Sequence, residues 1–436
     1  MRITFIDPPG FSDGLNTGLG YLSAVLDRGG YDVSVLDLNN KIGNEKKRIS
    51  TIINSDIIGI SIKSFTLESS IKILKMIKTK AILIAGGPHV TLDFHNFLSE
   101  NGFDIAVIGE GEETSLELIK ALESSRDIKK VKGVAFKKDN EIIVNEKRDW
   151  IKNLDKLPFP KYEKFDSVKD TGMIEYYPLV TSRGCPYNCS YCSVGTVIGK
   201  KWRARKPKNI ISELIQARKK YHSREFKVLD DNFTLDMKRA KEICQLLIEE
   251  NLNLKWSCPN GLRADRLDME LLQLMKDSGC HTIGMGIESG CEYVFDKINK
   301  GERLEDVKNA ISMAKKVGLR VDGFFIIGLP GSTYENDKKS MDFAKRVGVD
   351  SASFGLLVPY PGTTVWDWMN KNKGVKILRE WKKGFHLGFK PKPVFETNSY
   401  KGKDMLKMYY LANLRFLKPK NIFFIIKSLF KGLKKG

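Results

Sequence analysis

The first 184 residues contain no cysteine, and the first 88 contain no histidine. A cysteine-bound cluster or zinc site in the opening third of the chain is therefore excluded. A disulfide framework is excluded too, because the seven cysteines are odd in number, all fall at 185 or later, and three of them crowd into eight residues. No apolar run reaches the roughly 18 residues a bilayer-spanning helix needs. The opening Met1-Arg-Ile-Thr-Phe-Ile-Asp-Pro-Pro9 reads as a strand and turn and lacks the long apolar region of a secretory leader. These absences point to a reducing cytosol. Acids are scarce at the other end. Residues 371–436 hold 18 Lys or Arg against Glu380, Glu396 and Asp404, which is +15 of the chain's net +20. Such an excess directs attention to an anionic partner.

What is present is a long α/β pattern. Residues 1–125 alternate apolar runs (Ile3–Ile6, Val33–Leu36, Ile57–Ile60, Ala81–Ala85, Ile105–Ile108) with amphipathic stretches near 19–28, 66–77, 91–99 and 112–123. Continuous apolar runs suit strands buried on both faces of a parallel sheet, and five βα units suit an open, doubly wound, Rossmann-like domain. A β-hairpin is expected over Val131–Lys137 and Glu141–Glu146, turning at Asp139-Asn140, and Leu157-Pro-Phe-Pro-Lys161 reads as a stiff linker within 126–176. A second series follows over 177–370, with strands near 177–181, 226–230, 254–257, 282–287, 321–327 and 351–356. Its helices are expected near 208–221, 236–250, 268–277, 304–317 and 335–346. Six repeats without a Rossmann-like return suggest a partial (β/α)6 barrel, whose chemistry collects at the C-terminal ends of its strands.

Cys185-Pro-Tyr-Asn-Cys189-Ser-Tyr-Cys192 directly follows the first of those strands. Zinc sites and ordinary ferredoxin clusters use four ligands. Three thiolates on one short loop suit instead a four-iron cluster with one iron open to a small molecule, and open coordination goes with catalysis. A zinc loop completed by a distant histidine is the alternative. The remaining Cys244, Cys258, Cys280 and Cys291 are scattered and read as small buried hydrophobes, although Cys258 and Cys291 fall at strand ends near the expected site.

The loop Cys185-x3-Cys189-x2-Cys192, with Tyr191 before the last cysteine, resembles the signature of radical S-adenosylmethionine (SAM) enzymes. The resemblance implies that these three thiolates hold a 4Fe–4S cluster, and that SAM, bound at the open iron, is cleaved to a 5′-deoxyadenosyl radical by one electron from a donor such as flavodoxin or ferredoxin. Later segments resemble that family's SAM contacts. Asp230, Asp231 and Asn232 follow the second strand, where relatives place a polar motif near the methionyl amine, although the Gly-Gly-Glu form is absent. Arg263 suits the methionyl carboxylate, Glu288 and Ser289 the ribose, and Ile326 the adenine.

The N-terminal domain resembles the cobalamin-binding domain that precedes the barrel in a subgroup of these enzymes. The matching residues are Pro9 in Asp7-Pro-Pro, Gly18, Gly20 and Tyr21, Ser61, Gly86-Gly87-Pro88-His89, and Gly109-Glu110. Glycine-rich strand ends let a broad ligand approach the backbone. The alternative is a nucleotide-binding or merely structural domain. The Asp-x-His-x-x-Gly loop of cobalamin mutases is absent, so no histidine from that loop can reach cobalt, and His89 is expected to brace a loop or touch the corrin.

The resemblance implies methylation of an unreactive carbon; the substrate is expected to be a small molecule, lipid-like if the basic tail is a guide, and the enzyme a monomer. Cyclisation or carbon–carbon coupling with the same cofactors is the nearest rival, and a non-enzymatic cobalamin or metal sensor a more distant one. A methylthiotransferase would need three further cysteines before the barrel. Within the basic region 371–436, Ile422, Ile425, Ile426, Leu429, Phe430 and Leu433 follow helical spacing opposite a lysine face. This suits a helix lying on an anionic membrane surface better than a nucleic-acid arm.

Overall fold

The computed structural model describes residues 1–10, 14–40, 44–139, 141–384, 387 and 390–417. Its first layer is a seven-stranded sheet of β1 (Arg2–Asp7), β2 (Asp32–Asp37), β3 (Ile57–Ser61), β4 (Ile82–Gly86), β5 (Ile105–Val107), β6 (Val134–Lys138) and β7 (Glu141–Val144), in the order β2-β1-β3-β4-β5-β6-β7. The first five strands are parallel, and their apolar runs are buried because helices cover both faces. The hairpin that the sequence places in the linker belongs to this sheet: β6 pairs antiparallel with β5, Ala106 opposite Ala135. Its turn residue Asn140 lies outside the described residues.

After β8 (Tyr176–Leu179), a short antiparallel ladder of β9 (Ser182–Arg183) and β10 (Arg203–Ala204) closes the base of the cysteine loop. The chain then runs through β11 (Glu225–Val228), β12 (Lys255–Leu262), β13 (Cys280–Glu288), β14 (Arg320–Ile327) and β15 (Ser351–Leu356). With β8 these form one parallel sheet, β8-β11-β12-β13-β14-β15, whose two ends do not pair among the described residues. It is an open, partial barrel, as the repeat pattern predicts. The helices between its strands are amphipathic and bury one stripe each: Leu271, Leu272 and Met275 in Met269–Asp277, for example, and Val307, Ala310, Ile311 and Ala314 in Leu304–Lys316.

The segment 155–165 is a packed strut between the two sheets. Lys161 N–H bonds to Gly20 O at 3.1 Å, the Arg205 guanidinium lies over the Phe159 ring, and Tyr162 is fully buried against Phe165, Tyr177 and Tyr221. Beyond residue 370 the sequence shows no repeat, yet the structure adds a ribbon of β16 (Val375–Ile377) and β17 (Phe395–Thr397) and a helix, Gly402–Arg415. That helix caps the exposed edge of β15: the Asn413 amide receives Phe354 N–H at 3.1 Å and donates to Phe354 O at 2.9 Å, as a neighbouring strand would. The expected membrane-surface helix, 418–436, lies outside the described residues, and no described helix is long and apolar enough to cross a membrane.

Candidate active site

The cysteine loop begins at a backbone constraint. Gly184 has φ +85°, and a Cβ there would stand 2.6 Å from Lys201 O, so only glycine lets the chain turn from β9 into Cys185. The loop is then held from several sides. Asp231 accepts Gly184 N–H at 2.9 Å, Ser190 N–H bonds to Ile298 O at 2.8 Å, and Val365 N–H bonds to Ser190 O at 3.0 Å. Inside it, the Tyr187 ring lies 3.4 Å beneath the Arg263 guanidinium, while its hydroxyl accepts from Arg266 Nε at 3.2 Å. Burial raises the Cys189 thiol above its ordinary range, and the cations of Lys300 and Arg263 oppose that rise. Those same cations would favour thiolates bound to iron. Among the described residues no three His, Cys, Asp or Glu side chains are gathered as a ready-made metal site.

Beside the loop, Tyr191 donates its hydroxyl proton to Glu288 Oε1 at 2.8 Å. Glu288 ends β13 in the left-handed region, at φ +66°, which aims its carboxylate back at the loop. Burial raises its pKa, against the pull of Lys300 and the Tyr191 bond. Lys300 is itself buried; its ammonium donates to Gly286 O, lies 2.9 Å from Glu302 and 4.0 Å from Glu288. Asn232 points its amide toward Cys185, 4.0 Å from the sulfur.

Three expected SAM contacts are committed elsewhere. Asp230 accepts Thr181 N–H at 2.6 Å, Thr181 Oγ1 at 2.5 Å and Ser182 Oγ at 2.6 Å, so its carboxylate staples β8 to β9 rather than facing a ligand amine. The Arg263 fork is filled by Asp265, at 2.9 and 3.0 Å, and by Lys300 O at 2.7 Å. It braces Tyr187 with three of its five N–H groups in use. Ser289 is fully buried and bonds toward Ser340 and Cys291 in the barrel wall. Ile326 remains half-buried in the alternating pattern of β14. Cys244, Cys258, Cys280 and Cys291 are all buried.

A cavity of about 310 Å³ opens between the two sheets. The first sheet lines it with the strand-end residues Gly18, Tyr21, Ser61, Gly86, Gly87, Pro88, Gly109 and Glu110. The barrel supplies Ser182, Arg183, Leu229 and Asp231. A Cβ on Gly86 would meet only Val107, at 3.8 Å, so the chain's own packing does not require that glycine; it leaves the wall flat toward the cavity. Gly87, at φ +100°, lies against Ile62 backbone and carries the turn into the helix Pro88–Glu100. Pro9, Gly20 and His89 do not line the cavity. Gly20 is small because Tyr162 packs on it: a Cβ there would stand 2.6 Å from the ring. His89 is buried on the other side of its helix, against Trp381 and Phe97, with Nδ1 3.2 Å from Ser64 Oγ. Burial holds its pKa down at about 4, and the ring packs into the fold away from the cavity lining. Among the described residues no histidine lines the cavity.

Charge closes the seam beside this cavity. Arg183 bonds to Glu110 at 2.9 Å and Glu112 at 2.6 Å, and Arg203 bonds to Glu110 at 2.7 Å and to Ile151 O at 2.9 Å. Arg183, Arg203 and Glu112 are seam residues that no motif in the sequence announces. The available signal was the pair of arginines flanking the cysteine loop, Arg183 and Arg203, set against the acidic Glu110-Gly-Glu112.

Two family models match: the radical SAM superfamily over residues 179–368 and the B12 binding domain over residues 11–119. An uncharacterized methyltransferase of Pyrococcus horikoshii is 32% identical over 99% of this chain and 98% of its own length. The chain belongs to the cobalamin-binding radical SAM enzymes. Its cofactor set is that of the family, a 4Fe–4S cluster, SAM and cobalamin. The cytidylyl-2-hydroxyethylphosphonate methyltransferase of Streptomyces wedmorensis is 28% identical over 79% of this chain and 76% of its own. The fold matches the radical SAM methyltransferase TsrM from Kitasatospora setae, solved with cobalamin and a [4Fe-4S] cluster, with a TM-score of 0.78 at 15% identity over 97% of this chain and 92% of that one. Within this family the residues present fit the cofactors: a three-thiol loop beside buried cations, and a flat, glycine-walled cavity between the sheets.

Proposed function

We propose that this enzyme transfers a methyl group to an unactivated carbon of a small molecule. One observation carries the reading: Ser182, Arg183 and Asp231 line the glycine-walled cavity, and Asp231 also accepts the N–H of Gly184, the residue that leads into the cysteine loop, so the two sites adjoin. Cys185, Cys189 and Cys192 would hold the cluster, and Gly18, Tyr21, Ser61, Gly86, Gly87, Pro88, Gly109 and Glu110 the cobalamin. When bound, the cluster supplies the electron that breaks a carbon–sulfur bond of SAM, and cobalamin carries the methyl.

The chain's own part is positioning. Arg263 and Tyr187 fix the loop that presents the thiolates. The Tyr191–Glu288 pair offers a carboxylate suited to adjacent ribose hydroxyls, and Asn232 and Asp231 place polar groups beside Cys185. Ile326 offers an apolar face for adenine. The Arg183 and Arg203 pairs keep water out of the seam. Methyltransferase-named relatives support transfer.

The test is anaerobic reconstitution with iron, sulfide and cobalamin, followed by titanium(III) citrate and SAM. Methyl transfer consumes two SAM and should release 5′-deoxyadenosine and S-adenosylhomocysteine together when a substrate is methylated. Release of 5′-deoxyadenosine alone during a substrate's conversion would sink methyl transfer in favour of cyclisation or coupling.

A further inference from the structure

A second groove, of about 830 Å³, lies outside the cofactor cavity, between the loops after β3 and β4 and the segment that follows β16. Its apolar wall is Phe65, Leu67, Ile71 and Phe97, with the neutral His89 ring set into it. Its opposite rim is basic: Arg379, Lys382, Lys383, Lys390 and Lys392 against Glu68, Asp93 and Glu100. Lys382 is paired with Glu100 at 2.5 Å, Lys383 lies 3.4 Å from Glu380, and Arg379 Nε is taken by Pro393 O at 2.9 Å. Lys390 and Lys392, separated only by a proline, are exposed and have no ion pair among the described residues. Lys63 and Pro88 face the cofactor cavity while their neighbours Ser64 and His89 face this groove, so the two spaces share a wall one residue thick.

We propose that this groove binds a small molecule in which an apolar chain carries a terminal phosphate. The apolar wall suits the chain, and the two unpaired ammonium groups at one end suit the head. The lysine ammonium is a compact point charge that suits a phosphate, and Arg379 on the same rim, with only its Nε taken by Pro393 O, adds a fork that matches phosphate geometry. The inference concerns binding in this groove, which a wall one residue thick separates from the cofactor cavity, and does not rest on the methyl transfer proposed above.

The test uses full-length, cofactor-loaded protein under anaerobic conditions, with n-decyl phosphate below its micelle concentration, decanol and inorganic phosphate as probes in equilibrium dialysis. Decyl phosphate should bind at least ten-fold more tightly than either fragment. Lys390→Glu with Lys392→Glu should weaken it ten-fold or more, and Ile71→Asp by a similar factor, with iron and cobalamin content unchanged. Equal binding of decyl phosphate and decanol, or affinity unchanged in both variants, overturns the proposal. Sedimentation with anionic phospholipid vesicles that survives both variants while soluble decyl phosphate fails to bind overturns it in favour of a membrane surface. These ratios are read without turnover, so an absence of methyl transfer leaves them standing and strikes only the reaction.

Discussion

On the wall supplied by the first sheet, the central cavity is lined by a group of small residues, Gly18, Ser61, Gly86, Gly87 and Gly109, set among larger ones such as Phe5, Tyr21 and Ile84. On the barrel side, the cysteine loop is held by charged side chains that are almost all spoken for, through Arg263, Asp265, Lys300, Glu302 and Glu288. A large flat ligand needs a wall without side chains, whereas a loop that must present three thiolates needs fixed geometry and compensating positive charge. The two walls should therefore fail independently.

The largest effect is expected where the glycine wall meets backbone. Gly87→Val forces a β-branched residue to φ +100° and puts its Cβ within 3 Å of Ile62 O and N. Strain and overpacking together should cost about 4 kcal/mol. Copurified cobalamin should fall at least ten-fold while iron per chain stays near that of the wild type. Loss of iron in step with cobalamin would show that the two walls are one unit. Arg263→Met makes the reciprocal test. It removes the cation over Tyr187 and leaves Asp265 and the fully buried Glu302 short of a partner, at a cost of about 3 kcal/mol. Iron and sulfide should drop with cobalamin retained, and the cluster's EPR signal should broaden. Full iron loading would mean that Arg263 does not hold the loop.

This contrast also explains what could be read in the sequence. Strands, helices and the open barrel were legible because apolar periodicity is local, and the cysteine loop because its spacing is the chemistry. Glycines were half legible. Gly86 does face the cavity, but Gly20, in the same kind of motif, is small only because Tyr162, 142 residues away, packs on it. The charged side was the least legible. Arg263 reads as a free fork until Lys300 O, 37 residues on, is seen to occupy it, and His89 as a ligand contact until Trp381 covers it. Long-range partners decide whether a polar residue is free, and one sequence does not show them. The helix Gly402–Arg415 escaped for a related reason: its role is to cap β15, and no repeat announces a cap.

The smallest predicted effect tests a buried carboxylate behind the glycine wall. Asp7, at the end of β1, is 3% exposed; Asn16 Nδ2 donates to its Oδ1 at 2.8 Å, and Oδ2 has no partner. Burial lifts its pKa to about 6, Asp37 adds to the rise, and Lys63 and Asn16 oppose it. A carboxyl with a folded pKa above its ordinary value holds its proton more tightly in the folded chain than in the unfolded one. Its stabilising contribution is therefore complete below about pH 4 and is lost as pH rises through about 6, a swing of roughly 3 kcal/mol at most. Asp7→Asn keeps the acceptor for Asn16 and removes the charge. Urea midpoints should thus coincide with the wild type near pH 4 and exceed it by about 2 kcal/mol at pH 7.5. Cobalamin content should be unchanged, because Asp7 stands behind the wall and not on it. Midpoints that track the wild type across that range would mean that Asp7 is ionised and solvated in the folded protein, and the glycine wall would then hide no buried acid.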